Sequence, residues 1–407
     1  MFAKLHKQLD YEFMFISRDW GQMVINRGGS LMKKIVMVLL AAFMTIFIAA
    51  CGNNENKAES GTGEEGLKIA IVTSMTGVDD GNFNENNYNG ILNFIKNNPT
   101  ATVKAIKEET GDPAAGVQAV ADIVADYDVI VTPGFQFAGI SSVALENPDK
   151  LFILIDSEPT PIGDQTEFDN VYSMMFAEQE GGFFAGMAAA LETKSNKVAV
   201  VNGIAYPSNV NYQFGFESGV NYVNKVFDKN VEVVELSGYA GTDVTGKDVG
   251  GNYAGSFGDE ATGKVIGNAL IKKGVDQIFV AAGGTGNGVF TAVKEAKGDV
   301  KVIGCDVDQF DDGVNGSENI VLTSAAKFMG MNVEKALNSI VDGSFKGGNV
   351  VLHADTDSTG FIKEEGRQQL SEDTLAKMND AYELVKNGTI VPASNFNGYT
   401  PEKFPGL

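Results

Sequence analysis

Carboxylates, carboxamides and an aromatic ring crowd into short segments of this chain, each directly after an apolar run. Ser74 to Gly90 reads SMTGVDDGNFNENNYNG and brings together Ser74, Asp79, Asp80, Phe83 and Asn84. Gly283 to Gly288 reads GGTGNG, and Asp306 to Gln309 reads DVDQ. These segments offer carboxylate acceptors, amide donors and backbone N–H groups, which is the chemistry of holding a polar ligand by hydrogen bonds. Bond-making chemistry finds fewer residues. His353 is the only histidine after Cys51, so a Ser-His-Asp triad has one candidate base, and nothing near it marks a nucleophile. Cys305 is the only thiol besides Cys51, and no Cys/His spacing suits a metal, so neither metal nor cofactor is expected. Cys305 lies in the apolar run VIGC and reads as a buried, inert thiol. The stretch from Gly284 to Gly288, with Asp306 twenty residues beyond Gly286, approximates a dinucleotide loop, but its third glycine is misplaced for G-x-G-x-x-G. Gly241 to Lys247 and Gly258 to Lys264 both read G-x-x-x-x-G-K. They continue into Asp248 and Val265, where a phosphate loop needs Ser or Thr for magnesium.

The elements that must position these residues are short apolar strands alternating with helical patterns. Strands are expected at Leu67 to Thr73, Thr102 to Lys107, Val129 to Gly134, Leu151 to Asp156 and Val171 to Phe176. A second series covers Lys197 to Gly203, Val231 to Leu236, Gln277 to Gly283 and Lys301 to Asp306. Asp112-Pro113 pairs an N-cap acid with proline at the first helical position. Val117, Val120, Ala121 and Val124 then fall on one face of that helix. A further helix runs from about Gly181 through Phe184, Met187 and Leu191, while Phe214 and Phe216 read as packing. Continuous Val/Ile runs suit parallel strands covered on both faces. The fold class is therefore α/β, with two doubly wound parallel-sheet domains divided near Ala177 to Ser195. In such sheets ligands bind beyond the carboxyl ends of the strands, where the polar segments lie.

The chain's first part reads as an export address. Met32-Lys33-Lys34 precedes an almost unbroken apolar run, Ile35 to Ala50, that ends in IAAC at Cys51. A basic start, a short apolar stretch and small residues before a cut describe a signal peptide at 32–50. The cysteine after the small pair resembles a bacterial lipobox, with Cys51 the site of lipid attachment and Ile48 where leucine is usual. Two acyl chains anchor a protein stably, where one is marginal. Met1 to Leu31 reads as an upstream extension, because Arg27-Gly28-Gly29 fits purine-rich codons of a translated ribosome-binding site before a start at Met32. Residues 51–66, rich in Asn, Glu, Gly and Ser, read as a flexible tether. Beyond Ala50 the chain carries 25 basic and 50 acidic residues, an excess that argues against a nucleic-acid partner.

Five segments in order carry a family resemblance: DDGNFNENNYNG, SFGD-x-x-x-GK (Ser256 to Lys264), GGTGNGVF (Gly283 to Phe290), VIGCDVDQ (Val302 to Gln309) and TSAAK (Thr323 to Lys327). They resemble the basic membrane protein family, nucleoside-binding lipoproteins of ABC importers. The likeness spans Leu67 to about Asp342. It implies the type I periplasmic-binding-protein fold, with three chain crossings hinging two lobes around one ligand. It places 67–176 plus about 307–330 in the N-terminal lobe, and 177–306 plus about 331–407 in the C-terminal lobe. It implies that Phe83 and Phe257 stack on a purine-type base, that Asp306 takes the ribose hydroxyls with Lys327 nearby, and that Asp156 faces the base. Asn84 and Gly286 are implied as amide or backbone contacts. Asp80 belongs to the same loop, where an acid is also a common turn former or helix cap. Ser74 departs from the resemblance, because many members carry aspartate there to read the base edge.

These readings lead to one expectation: a lipid-anchored, extracytoplasmic, monomeric substrate-binding protein that delivers nucleosides to an ABC permease and its ATPase, with no chemistry of its own. A sensing or surface receptor of the same fold, and an extracytoplasmic enzyme acting on nucleosides or sugars, are the alternatives.

Overall fold

Strands buried on both faces and helices with one apolar stripe can be satisfied together only in a layered sandwich, and the chain builds two of them. The computed structural model describes residues 66–407. The extension, the signal peptide, Cys51 and all but the last residue of the tether lie outside the described residues. Among the described residues no helix is long and apolar enough to cross a membrane.

The first lobe runs β1 (Lys68–Thr73), α1 (Phe83–Asn97), β2 (Thr102–Lys107), α2 (Pro113–Ile123), β3 (Val129–Pro133), α3 (Ser141–Glu146), β4 (Leu151–Ile155) and β5 (Val171–Phe176). The second runs α4 (Glu178–Glu192), β6 (Lys197–Asn202), α5 (Pro207–Val226), β7 (Glu232–Val233), a hairpin β8 (Gly241–Thr242) and β9 (Asp248–Gly250), α6 (Glu260–Lys272), β10 (Gln277–Ala281), α7 (Gly284–Glu295), β11 (Lys301–Asp306), a hairpin β12 (Val314–Asn315) and β13 (Glu318–Asn319), and β14 (Val321–Lys327). The chain then returns to the first lobe for α8 (Met329–Val341) and β15 (Gly348–Leu352), and ends in the second with β16 (Thr359–Phe361) and α9 (Glu372–Lys386).

The first sheet has the order β2-β1-β3-β4-β5-β15, with parallel pairing throughout. The second has the order β7-β6-β10-β11-β14-β16, with only β16 antiparallel. Both contain the doubly wound arrangement in which strand order reverses beside the first strand, leaving a crevice at the carboxyl ends.

Asp112 caps α2 as its sequence suggests, accepting from the Ala114 and Ala115 N–H groups at 2.7 and 3.2 Å. The expected strand from Val231 to Leu236 pairs with β6 over two residues only, because it lies at the sheet edge. The lobe boundaries differ from the expectation. Residues 307–327 do not return to the first lobe, since β14 pairs with β11 and is buried at every position in the second sheet. The return is made instead by α8 and β15. The Gly330 N–H donates to Asn86 on α1 at 2.8 Å, and β15 adds a strand beside β5. The runs VLTSAAK and GNVVL are too small or too exposed to advertise themselves as core strands.

Three crossings therefore connect the lobes, at Ala177, Phe328 and His353. They are stitched to one another: the Ala177 N–H donates to the Leu352 carbonyl at 2.9 Å, and the Phe328 N–H to that of Ser358 at 3.0 Å. Behind the first crossing, α4 and α5 approach until a Cβ on Gly186 would stand 2.1 Å from the Phe216 carbonyl oxygen, and one on Gly219 would stand 2.1 Å from that of Phe183. Only glycine allows that approach, which fixes Glu178 on α4 against Asn211 and Tyr212 on α5.

Candidate ligand-binding cleft

The loops after β1, β3 and β4 of the first lobe face those after β6, β10, β11 and β14 of the second around a cavity of about 260 Å³. Its buried floor is a row of charge. Lys327, the last residue of β14, is 2% exposed. Its ammonium lies 2.5 Å from Asp156 Oδ2, 3.3 Å from Asp306 Oδ1 and 3.8 Å from Glu178 Oε1. It also sits above the rings of Phe83, Tyr212 and Phe176, at 5.1, 5.5 and 5.7 Å from their centroids. Burial alone would drive this lysine neutral. The three carboxyls outweigh burial and push its pKa up, so it remains an ammonium. Burial pushes Asp156 upward, but its contact with the ammonium makes it the ionised member of its pair with Glu178. Burial, and then the charge of Asp156, raise Glu178 to about 8, so Glu178 is neutral at pH 7.

Asp156 and Asp306 are related by position as well as by charge. Each follows a strand one place in from the crossings, β4 beside β5 and β11 beside β14. Each has a left-handed backbone, with φ of 57° and 66°. Aspartate adopts that conformation more readily than bulkier side chains do. The Asp306 carboxylate also accepts from the Tyr212 hydroxyl at 2.7 Å. Burial, then the charge of Asp306, raise the Tyr212 pKa far enough to keep it a neutral donor.

The first-lobe wall is built by Asp80. Its two oxygens accept backbone N–H groups of Asn82, Asn84 and Glu85 at 3.0 Å each, and so organise the entry to α1. Asp80 thus organises its loop while itself lining the cavity. Asn84 is presented by that loop. Its Nδ2 donates to Thr76 Oγ1 at 2.8 Å and Ser74 Oγ at 3.2 Å, while its Oδ1 is buried without a partner. Phe83 opens α1 and lines the cavity beside Lys327.

The second-lobe wall is aromatic. Phe257 lies over Gly203, where a Cβ would come within 2.3 Å of the ring. The Tyr206 ring stands 5.9 Å from Phe257, and 5.1 Å from Phe135 of the first lobe. The lobes are thus in contact across the cleft.

Ser74, Phe83, Asn84, Asp156, Phe257, Asp306 and Lys327 all border this cavity, as does Asp80 through the loop it holds. Gly286 does not. It sits inside α7, where a Cβ would meet the Val280 side chain at 2.8 Å, and Gly283 and Gly284 line the cavity in its place. Sequence reading passed over Phe135, Tyr206, Tyr212 and Glu178. The first two follow strand ends and could have been found by that rule alone. Tyr212 and Glu178 sit within buried helices, and no spacing sets them apart from core residues. Phe216 is core, as expected, and Cys305 is a buried thiol whose pKa burial pushes up.

The family described as ABC transporter substrate-binding protein PnrA-like, or Bmp, matches residues 67–238 and 245–395. The chain belongs to the Bmp family. It is 30% identical over 342 residues to the ABC transporter nucleoside-binding protein BmpA of Lactococcus lactis, covering 79% of this chain and 88% of that protein. It is 29% identical over 386 residues to a CD4+ T-cell-stimulating antigen of Listeria innocua, covering 88% and 98%. Among solved structures, an ABC transporter solute-binding protein of Aeropyrum pernix superposes with a TM-score of 0.68 at 22% identity, covering 82% of this chain and 94% of that one. The two-lobed α/β fold is thus shared with solute-binding proteins. This Bmp protein is an ABC transporter substrate-binding protein, of a family that binds its substrate without transforming it.

Proposed function

We propose that this Bmp protein captures nucleosides outside the membrane, purine-type favoured, and passes them to an ABC permease while tethered through acyl chains on Cys51. The observation that carries the reading is a cleft with two chemistries. The Asp306 carboxyl group beside Lys327 suits a vicinal diol, and the rings of Phe83 and Phe257 suit a flat base. Stacking adds ~0.5–1.5 kcal/mol per aromatic pair beyond area burial. The partnerless acceptor Asn84 Oδ1 favours a ligand that brings donors. The nucleoside-binding relative from Lactococcus lactis supports the ligand class.

Ser74 sets the expected selectivity. Its hydroxyl is engaged with Asn84 and Thr76, and it presents no charge to a base. A neutral hydroxyl penalises the wrong base less than a buried carboxylate does. Pyrimidine nucleosides are expected within about tenfold of purine ones, or ~1.4 kcal/mol. Ser74→Asp is expected to shift preference toward guanosine and inosine, whose ring N–H can donate to the new carboxylate. Calorimetric titration of guanosine, inosine, adenosine, uridine and cytidine against both proteins tests this. Absence of binding by all five removes the ligand class; an unchanged rank order in the variant removes the role of Ser74.

The anchor has its own test. Cys51→Ala is expected to leave the precursor unprocessed or to release the protein from the membrane fraction. A variant that is processed and sediments with membranes like wild type rules out acylation there.

A further inference from the structure

Glu178 stands one residue past the first crossing, and nothing in the ligand-binding reading uses it. Its side chain is 1% exposed. Oε2 accepts from Asn211 Nδ2 at 3.0 Å, and Asn211 is itself fixed by the Asn395 N–H. Oε1 has no hydrogen-bond partner, since 3.8 Å to Lys327 is too long for one. Asp156 faces it with the same deficit: Oδ2 is taken by Lys327, and Oδ1 is buried and unpaired. The two carboxyls converge on one ammonium, Asp156 Oδ2 at 2.5 Å and Glu178 Oε1 at 3.8 Å from the Lys327 nitrogen. Unpaired buried oxygens are costly, and one proton held between two carboxyls satisfies both sides at once.

We infer that Glu178 is a positioning residue for Asp156, donating a proton to Asp156 Oδ1 and so fixing the Asp156–Lys327–Asp306 row in the geometry that meets a ligand. The role toward a ligand rests on the nucleoside reading; the shared proton does not.

The surroundings agree. The charged or titratable groups around Glu178 are Asp156 after β4, Lys327 at the end of β14, Tyr212 on α5, and His353 at the third crossing, with Asp306 on the far side of Lys327. His353 is engaged by Glu180, the remaining acid of that turn, at 2.9 Å. With Glu178 neutral, two carboxylates share one ammonium; with it ionised, three do. Burial and the Asp156 charge keep the proton on Glu178 up to a pH of about 8. The unfolded chain releases the same proton near 4.5, so the native state binds more protons between those values. This group's contribution to stability therefore falls as pH rises from about 4.5 to 8, then levels off.

Glu178→Gln tests the inference, because an amide keeps one donor for Asp156 and one acceptor for Asn211 but cannot ionise. Calorimetry with adenosine and cytidine is expected to show wild-type affinity falling roughly tenfold between pH 6.5 and pH 9, with the variant level throughout. Parallel decline in both proteins, or a wild type level to pH 9, overturns it. Difference infrared spectroscopy needs neither ligand nor this variant to fold. In a Glu217→Gln background, which removes another acid whose pKa is raised to about 7, a protonated-carboxyl band is expected at pH 6.5 and lost with a midpoint near 8. Its absence at pH 6.5 overturns the shared proton. If no nucleoside binds at any pH while the band titrates as expected, the ligand reading fails and the proton stands.

Discussion

Lys327→Met is expected to lower folding stability by about 3–5 kcal/mol at neutral pH, the usual consequence of leaving buried charges without their partner. Methionine replaces the apolar stem of the lysine with little change in shape, so the loss isolates the ammonium. Three carboxyls converge on it, and the second lobe offers Asp306 only the Tyr212 hydroxyl in exchange. The sign with pH is fixed by the same geometry. Without the ammonium, Asp156 and Glu178 bind protons more readily in the native state than they do in wild type. The deficit therefore narrows as pH falls toward 5 and widens above 7. Urea unfolding at pH 5 and pH 7.5 measures both. A variant within about 1 kcal/mol of wild type at pH 7.5 would show that the row is not held by its lysine.

Asp306 carries the largest expected effect on binding. Loss of its charged hydrogen bonds is expected to cost roughly 2–4 kcal/mol of nucleoside affinity, about 30- to 1,000-fold. The left-handed backbone at φ 66° dictates the choice of variant. Alanine tolerates that conformation poorly, whereas asparagine adopts it readily and removes only the charge. Asp306→Asn and Asp306→Ala are therefore compared, and the asparagine value is the one to attribute to the carboxylate. Free bases, which lack the diol, are expected to bind poorly to wild type and to change little in either variant. Equal affinity of wild type for adenine and adenosine would remove the ribose role of Asp306.

Much of this arrangement could be read from the chain. Strand-helix alternation and Val/Ile runs predicted two doubly wound sheets, and the rule that ligands gather at carboxyl ends pointed to the segments holding Ser74 and Asp306, while Asp156 came only from the family resemblance. Gly286 shows the limit of motif reading. It belongs to a segment that shapes the cleft, yet it packs a helix. The misplaced lobe boundary has a different cause. A strand of Thr, Ser and Ala is set by its neighbours rather than by its own hydrophobicity, so β14 emerges only once β11 stands beside it. Glu178 was invisible for a similar reason. An acid in a glycine- and alanine-rich helix looks solvated until the close approach of α4 and α5 is known.

The strand order has a mechanical consequence. Asp156 and Asp306 each lie one strand from a strand that leads into a crossing, β5 and β14. Phe135, after β3, is two strands from β5, and Tyr206, after β6, is three from β14. At ~4.8 Å per strand these rings stand ~10–14 Å out along a lever whose pivot is the lysine. Any rotation about that pivot would move the rings about two to three times as far as the carboxylates. The Phe135–Tyr206 contact, 5.1 Å between centroids, would be the first to part in such a rotation, and the charged floor the last. Substitutions at the rings and at the floor therefore act on opposite ends of one lever.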